Sequence, residues 1–383
     1  MPNNKSPLLN KVNQESHLKL RIVYLWWKAL RIDPPLLVFI FLLAITGLFI
    51  LFSASNQNTG VMLKQTAWLL LGFAVLFIFA YISPIVYRRW APWIFGAGLL
   101  LLISVLIFGN VDKGSRRWFD LGFFHLQPSE IMKLAMPMML AYYFSDKEFP
   151  PKAIPLIVSL LLLVFPTILT AKQPDLGTAI IISISGLSVL LLIGLNWQLI
   201  FTFLSIGALS TPIVWHFMHN YQKERVLTFL NPERDPLGSG YHIIQSKIAL
   251  GSGGLFGKGW LHGTQSHFQF LPAHATDFIF AVNGEELGFI GCLILLTILF
   301  AIFIRCFYIS SQAQDTFTRL LSGGLSLTFI LSALVNIGMV VGILPVVGIP
   351  LPLVSYGGSS IVTTMAGFGM IMSIHTHRKL WSS

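Results

Sequence analysis

The chain has 383 residues, of which 55% are hydrophobic and only 10% are charged, and its mean hydropathy is +0.74. Soluble domains carry about 25% charged residues, so this composition excludes a soluble globular fold and indicates a polytopic membrane protein. The net charge of +10 would suggest a nucleic-acid partner for a soluble chain. Here cations that flank membrane spans and meet anionic membrane lipids explain it better, and no nucleic-acid partner is expected.

Residues 1–34 are polar and basic and lack the apolar core of a signal peptide, which predicts a cytoplasmic or interfacial tail. The remainder, 35–383, is predicted to be a single membrane domain. A membrane-spanning helix needs roughly 20 apolar residues. Ten segments fit this requirement: 36–55, 61–82, 90–109, 128–145, 154–172, 175–193, 197–218, 277–304, 318–341 and 352–374. The sequence therefore predicts an all-α fold of about ten transmembrane helices.

Lysine and arginine are more numerous in the tail and in the loops on its side of the membrane, which predicts that both termini are cytoplasmic. The loops on the opposite side are still rich in cations, and this suggests that they handle an anion. The largest is the predicted periplasmic loop 219–276, between spans seven and eight. Its apolar pieces 243–250 and 268–271 are expected to lie at or within the membrane interface.

Asp277 stands where this loop ends and the eighth span begins. One interpretation is a helix N-cap, for which Asp is favoured; the other is a functional carboxylate at the membrane boundary. Local sequence leaves both open. Glu285 and Glu286 follow in the same span, and on a regular helix they cannot both face one site with Asp277. Interior pairing with Lys64 or Lys133, which would orient neighbouring helices, is the favoured interpretation for them.

Two other charged groups are candidates for chemistry. Glu130 and Lys133 share a helical face at i, i+3, so an internal ion pair is possible. Arg116, Arg117 and Trp118 form a cationic and aromatic group that suits a phosphate or carboxylate. A packing role for the first group and a solvated or headgroup-binding role for the second remain open.

Three weaker signals lie elsewhere in the chain. Asp175 has the same cap ambiguity as Asp277. Gln245 and Lys247 flank a short amphipathic stretch, where a snorkelling lysine is the simpler reading. The glycine-rich run 251–259 lacks the P-loop pattern, so it does not predict a nucleotide site.

Long, ordered motifs make the chain similar to a known family. They are KGSRRWFD (113–120), QPSEIMK (127–133), QPDLG (173–177), DPLGSGYH (235–242), QSK (245–247), GKGWLHGT (257–264), TDFIF (276–280) and the stretch from Asn336 through GIPLPLVSYGGSS (348–360). On these residues the chain resembles the SEDS family of shape, elongation, division and sporulation proteins. One departure is Asn283, where an apolar or small residue is expected.

The resemblance implies a peptidoglycan glycosyltransferase of the bacterial inner membrane, with its active site facing the periplasm. Such enzymes polymerise lipid II into glycan strands for cell elongation and rod shape. They work with a class B penicillin-binding protein, PBP2 in the elongation machinery, among membrane lipids. A lipid II flippase, or a scaffold for the penicillin-binding protein, is the alternative.

By match to the TDF motif, Asp277 takes the place of the catalytic acid. Transfer from a lipid-linked sugar diphosphate needs a base for the attacking hydroxyl and positive charge for undecaprenyl diphosphate as it leaves with inversion. The candidates for holding the diphosphate are Arg116, Arg117, Lys133 and Lys247. The candidates for supporting the site are Trp118, Glu130, Gln173, Asp175, Gln245, Glu285, Glu286, Ser355, Tyr356, Gly357, Gly358 and Ser359. Mg²⁺ or Mn²⁺ is a candidate to share the diphosphate, and no organic cofactor is expected.

Overall fold

A computed structural model describes residues 32–112, 115–120, 125–194, 220–234, 239–267 and 273–377, with isolated positions between 201 and 218. This part of the chain is mostly helical. The helices are α1 (Pro34–Ala54), α2 (Thr59–Tyr81), α3 (Pro84–Phe108), α4 (Pro128–Phe144), α5 (Ala153–Lys172), α6 (Leu176–Leu192), α7 (Asn220–Leu230), α8 (Ser239–Ser252), α9 (Thr264–His267), α10 (Ile279–Ser311), α11 (Thr316–Val341) and α12 (Gly358–Thr376), with a 3-10 turn at Pro232–Arg234.

Six of the described helices are long and apolar enough to cross a membrane: α1, α2, α3, α5, α10 and α11. The chain is therefore a multi-pass membrane protein. The expected fourth, sixth and tenth spans are also helices, α4, α6 and α12, but they do not reach the same combination of length and hydropathy. The expected seventh span, 197–218, falls largely outside the described residues, as does the tail before residue 32. Ten spans with both termini cytoplasmic remains a prediction.

The expectation of an all-α fold is wrong for the loop that follows α3. Three short antiparallel strands, β1 (Asn110–Asp112), β2 (Ser115–Asp120) and β3 (His125–Leu126), form a small sheet in the order β1-β2-β3. Backbone polar groups near a membrane must find partners inside the protein. A hairpin supplies those partners in a segment too short and too charged for another spanning helix.

Acidic side chains cap several of the described helices. Asp33 accepts a hydrogen bond from the backbone N–H of Leu36 at 2.9 Å, and Asp175 accepts one from Thr178 at 3.2 Å. Such caps satisfy the donors that a helix start leaves unpaired. Helix α10 differs, because its N-cap residue is Phe278 and no side chain caps it.

Helix α10 consists of two pieces joined at Gly288, whose φ of 66° and ψ of −160° are not helical. Residues 279–286 are buried on every side. Beyond the break the buried positions recur on one face, as at Leu295, Leu299 and Ile302, and this face packs on α1 and α11. The piece before the break, 279–287, which we call the outer piece, is thus enclosed by protein. The piece after it, 289–311, the inner piece, is a membrane helix with one buried face.

Polar contacts join α1 and α10 at two levels. At one end Arg305 donates to Asp33 at 2.7 and 3.0 Å, and at the other Ser53 donates to Glu286 at 2.5 Å. About 20 residues of α1 separate the two levels, which corresponds to roughly 30 Å, the thickness of the hydrocarbon core. The break at Gly288 therefore lies near one boundary of the membrane.

Candidate active site

A polar cavity of about 270 Å³ lies where the ends of α4 and α6 meet the segments before α10 and α12. It brings together nine residues that the sequence singled out: Arg117, Trp118, Glu130, Lys133, Asp175, Asp277, Tyr356, Gly357 and Ser359. The lining is completed by Gln127, Thr178, Ile181, Thr276, Gly348, Ile349, Pro350 and Ser360.

Asp277 lies two residues before α10 and does not cap it, so the N-cap interpretation is wrong. Its backbone carbonyl instead accepts a hydrogen bond from Asn336 Nδ2 at 2.8 Å, and the same nitrogen donates to the carbonyl of Ile349 at 2.6 Å. Its carboxylate lies beside Gly348, whose φ is +75°; a Cβ at that glycine would stand 3.6 Å from Asp277 Oδ2. Asn336 therefore fixes the backbone and leaves the carboxylate facing the cavity.

The surroundings of Asp277 suit a base. Burial raises the pKa of its carboxyl group, and the positive charge of Arg225 partly offsets that rise. No described residue makes a hydrogen bond or ion pair with the carboxylate. A desolvated carboxylate of raised pKa accepts a proton more readily than an ordinary one.

Ser355 holds the segment that carries Asp277. Its hydroxyl donates to the carbonyl of Thr276 at 2.6 Å and accepts from the N–H of Leu351 at 2.8 Å. The next residue, Tyr356, donates its N–H to the carbonyl of Ala275 at 3.0 Å. The predicted support by this segment thus acts on the backbone before α10. The helix that follows this segment, α12, begins at Gly358, whereas the tenth span was expected to begin at residue 352.

Arg117 and Asp175 form one polar group in the wall of the cavity. The Arg117 guanidinium donates to the carbonyl of Pro174 and lies 3.9 Å from Asp175 Oδ1. Gln127 Nε2 donates to Asp175 Oδ2 at 2.8 Å. Asp175 therefore caps α6 and also lines the cavity, and its role in the chemistry remains a prediction.

Glu130 and Lys133 form the predicted ion pair on α4, with 2.6 Å between Oε1 and Nζ. Thr363 on α12 donates to the other oxygen of Glu130 at 3.0 Å. Both charged side chains are mostly buried and line the cavity. The pair therefore belongs to the candidate site and also ties α4 to α12.

Lys247 and Gln245 are not in this cavity. Lys247 is exposed on α8, and its side chain lies over Gly342, where a Cβ would meet Lys247 Cε at 2.2 Å. The structure thus gives no support to the prediction that Lys247 holds the diphosphate. The position of this lysine on α8 places its side chain beside Gly342 at the end of α11. The residue type alone does not predict that position.

Three further predicted residues have other surroundings. The buried Gln173, which follows α5, donates a hydrogen bond to the carbonyl of Leu102 in α3 at 2.9 Å and so joins these two helices. Gly358 lies against the ring of Trp68, with room for no side chain. Arg116 is paired through its backbone in β2, and its side chain lies outside the described part of the structure.

The prediction that Glu285 or Glu286 pairs with Lys64 or Lys133 is wrong. Glu285 pairs with Lys258, 2.7 Å away, in the glycine-rich run. The partner comes from a loop because α10 breaks just beyond the two glutamates, and a regular-helix projection does not foresee that break.

Asn336 and Gln127 stand in the family motifs quoted above but were not among the predicted site residues. Asn336 carries the available signal, since a polar amide deep in an apolar span is costly unless it has partners. Gln127 precedes Pro128 and reads as an ordinary helix start. Among the described residues, no group of three or more His, Cys, Asp or Glu side chains is placed to hold a metal ion.

These features define a multi-pass membrane protein with an acidic and basic cavity near one membrane boundary. A family model described as "Cell cycle protein", covering FtsW, RodA and SpoVE, matches residues 35–380. The chain therefore belongs to this family, the SEDS family.

Within the family, the chain is similar to proteins named peptidoglycan glycosyltransferase. It is 50% identical over 358 residues to MrdB of Escherichia coli K12, which covers 93% of this chain and 97% of that one. It is 35% identical over 352 residues to MrdB of Helicobacter pylori J99, with 90% of each chain covered.

Two solved structures share the fold. One is a chain of a peptidoglycan synthase complex described for its coordination of polymerization and crosslinking, with a TM-score of 0.80, 33% identity, and coverage of 91% of this chain and 99% of that one. The other is the rod shape determining protein RodA of Thermus thermophilus, with a TM-score of 0.69, 27% identity, and coverage of 91% and 98%.

Proposed function

We propose that this chain is a peptidoglycan glycosyltransferase of the bacterial inner membrane that polymerises lipid II into glycan strands for cell elongation and rod shape. One observation carries the chemistry: the Asp277 carboxylate faces a polar cavity while its backbone is fixed by Asn336. The names of relatives at 50% and 35% identity support the substrate class.

In the proposed reaction Asp277 is the general base. It takes the proton of the acceptor GlcNAc 4-hydroxyl as that oxygen bonds to the anomeric carbon of the donor sugar. The bond from that carbon to the diphosphate oxygen breaks with inversion, and undecaprenyl diphosphate leaves as an anion. General-base assistance of this kind contributes about 10²–10⁴-fold to the rate.

Arg117 and Lys133 are the described cations that line the cavity, and we assign them to the diphosphate. Each lies beside a carboxylate, Asp175 at 3.9 Å and Glu130 at 2.6 Å. A diphosphate would therefore compete with an acid for each cation. Arg116, from the same strand as Arg117, remains a candidate for the same role.

Because the described cavity pairs its cations with acids, Mg²⁺ or Mn²⁺ is a reasonable companion for the diphosphate. The described residues alone do not form a metal site, and no step is assigned to the metal. Such an ion supplies positive charge to the leaving group when bound. Removing divalent ions with a chelator and adding back Mg²⁺ or Mn²⁺ tests this part of the proposal.

The lipid part of the substrate has a candidate location next to the cavity. A smaller pocket of about 70 Å³ shares Lys133, Ile181, Ile349, Pro350 and Ser360 with the polar cavity. Its far side is mostly apolar and is lined by residues that include Leu134, Leu325, Phe329 and Phe368. We assign this pocket to the first carbons of the prenyl chain, which would place the diphosphate at the junction of the two spaces.

The topology and partner are also part of the proposal. The cavity faces the periplasm, where lipid II sugars are joined, and both chain termini are cytoplasmic. A class B penicillin-binding protein, PBP2 in the elongation machinery, cross-links the strands. The similarity to a chain of a synthase complex that coordinates polymerization and crosslinking supports this partner.

The proposal is tested by incubating the purified protein with lipid II in detergent, with and without the penicillin-binding protein, and separating the products by size. We expect glycan polymer from the wild type, and polymer formed about 10²–10⁴-fold more slowly by Asp277→Asn. Movement of lipid II across vesicles without polymer would instead indicate a flippase. Partner binding without either activity would indicate a scaffold.

A further inference from the structure

The glycine-rich run between α8 and α9 docks into the break of α10. Four backbone hydrogen bonds join them: Lys258 N to Glu285 O at 3.0 Å, Gly259 N to Glu286 O at 3.0 Å, Phe289 N to Gly254 O at 3.0 Å, and Ile290 N to Leu255 O at 3.2 Å. The loop thus supplies partners to carbonyl and N–H groups that a continuous helix would satisfy itself.

Glycine is required on both sides of this contact. A Cβ at Gly257 would lie 2.1 Å from the carbonyl oxygen of Glu286, and a Cβ at Gly288 would lie 2.3 Å from the nitrogen of Gly257. Both glycines have positive φ, 79° and 66°. The two backbones therefore interlock too closely for any side chain between them.

Side chains reinforce the interlock through Glu285, which is fully buried. Its carboxylate accepts from Lys258 Nζ at 2.7 Å, from the N–H and hydroxyl of Thr264 at 2.8 and 2.9 Å, and from the N–H of Gln265 at 3.1 Å. Lys258 also donates to the Thr264 hydroxyl at 2.8 Å. A buried carboxylate is tolerated when it is paired and fully hydrogen-bonded in this way.

The interlock has a consequence for the outer piece of α10, which follows Asp277. The break at Gly288 interrupts the ladder of hydrogen bonds that would otherwise hold this piece in register with residues 289–311. Its end at Glu285 and Glu286 is bound to the loop instead. The loop, together with Ser53 of α1, which donates to Glu286, therefore sets the position of this end of the piece.

We propose that the Lys258–Glu285 pair is a positioning element for Asp277, which locks the outer piece of α10 onto the glycine-rich loop and so sets the height of the carboxylate in the cavity. The proposal rests on the proposed function, since it assumes that Asp277 acts on the substrate. Lys258 and Glu285 are both absent from the cavity lining, so they act through the backbone.

The structure predicts a characteristic kinetic signature for this role. The cations assigned to the diphosphate, Arg117 and Lys133, are carried by β2 and α4, so loosening the outer piece of α10 leaves them in place. Substrate binding should then persist while the base is misplaced. A misplacement of about 1 Å costs up to about 10²-fold in rate.

The test compares Lys258→Met and Glu285→Gln with Lys258→Arg, which keeps the charge. Gly251→Ala is the matched control in the same segment, because a Cβ there meets nothing within 4 Å. We expect kcat of Lys258→Met and Glu285→Gln to fall between about 10- and 100-fold, with KM for lipid II nearly unchanged. Lys258→Arg should restore most of kcat, and Gly251→Ala should match the wild type.

A kcat that stays at the wild-type value in both loss variants would overturn the proposal, as would an equal fall in Gly251→Ala. A rise in KM alone would assign the pair to substrate binding instead and would also overturn it. Failure of the proposed function is recognised separately, because then the wild type makes no polymer or Asp277→Asn makes it at the wild-type rate.

A thiol-labelling measurement, which does not depend on enzyme activity, tests the proposal even if the proposed function fails. The thiol introduced by Asp277→Cys is reacted with a small soluble maleimide, with and without Lys258→Met, and the parent protein corrects for Cys292 and Cys306. Release of the outer piece predicts a faster reaction in the double variant. Equal reaction rates would overturn the proposal whatever the enzyme does.

Discussion

Two aspartates precede apolar helices in this protein and do different things. Asp33, at the start of α1, is fully buried, caps the helix through Leu36, and receives two hydrogen bonds from Arg305. His375 lies 3.5 Å from the same carboxylate. Both carboxylate oxygens of Asp33 therefore contact protein groups, and the side chain connects α1, α10 and α12.

Asp277 is the reverse case. Its backbone is held by Asn336, whereas its side chain caps no helix and has no hydrogen bond or ion pair with a described residue. Burial raises its pKa, with only a partial offset from Arg225. The carboxylate oxygens of the structural acid, Asp33, contact protein groups. Those of the candidate base, Asp277, make no hydrogen bond with a described residue, so they are available to the substrate while Asn336 holds the main chain.

The largest effect is expected from Asp277→Asn. The amide cannot accept the hydroxyl proton, so kcat/KM for lipid II should fall by about 10²–10⁴-fold. Because the pKa of Asp277 is raised in the folded protein, its ionisation weakens folding as the pH rises through that value. The thermal midpoint should therefore stay the same or rise. A fall in the midpoint that parallels the lost activity would make Asp277 a structural acid like Asp33.

Asp33→Asn should show the opposite pattern. Asn keeps the cap but loses the charge, leaving Arg305 without its carboxylate. Breaking a buried ion pair costs about 3–5 kcal/mol, and we expect about 2 kcal/mol here because the Arg305 side chain is 27% exposed. Thermal unfolding in detergent measures the loss. The folded fraction should polymerise lipid II at the wild-type rate, and a large loss of specific activity would contradict the comparison.

Asn336→Ala tests the fixed backbone of Asp277. It removes hydrogen bonds of 2.8 and 2.6 Å to two carbonyls, each worth about 1 kcal/mol. We expect kcat to fall about tenfold as the carboxylate loses its position. Ser322→Ala, earlier on α11 and outside both pockets, is the control, because the hydrogen bonds of its hydroxyl with described residues stay within its own helix. Equal effects from both would show that α11 packing matters and the clamp does not.

Arg225→Gln should give the smallest effect, a shift in the pH profile. The rate needs the ionised carboxylate of Asp277, so it is present above the raised pKa and is lost as the pH falls through it. Arg225 lowers that pKa, and its removal should move the acid limb of kcat/KM to higher pH. The rate on the plateau above that limb should change little. An acid limb that stays in place would show that the charge of Arg225 does not reach Asp277.

Much of the fold follows from composition and periodicity. Apolar runs placed α1 and α2 within a few residues of where they lie, at Pro34–Ala54 and Thr59–Tyr81. The break at Gly288 is different, because it depends on a loop some 30 residues earlier in the chain that docks against it. No local pattern reports such a contact.

The site was less predictable than the fold. The ion pair of Glu130 and Lys133 followed from their i, i+3 spacing. Local sequence left Asp277 between cap and base, and only the family resemblance favoured the base. Lys247 is a diphosphate candidate by its charge and its place in the QSK motif, and in the structure it does not line the cavity. Charge and spacing identify neighbours within one helix, but assembling a cavity from five segments requires the tertiary structure.

The most direct test of Asp277 as the base is chemical rescue of Asp277→Ala by formate. The cavity of about 270 Å³ has room for this small carboxylate once the side chain is shortened. We predict that the variant makes glycan polymer only slowly, that the rate rises with formate concentration, and that chloride at equal ionic strength has no effect. Polymerisation by Asp277→Ala at the wild-type rate without formate would contradict the account, as would equal acceleration of Asp33→Ala by formate.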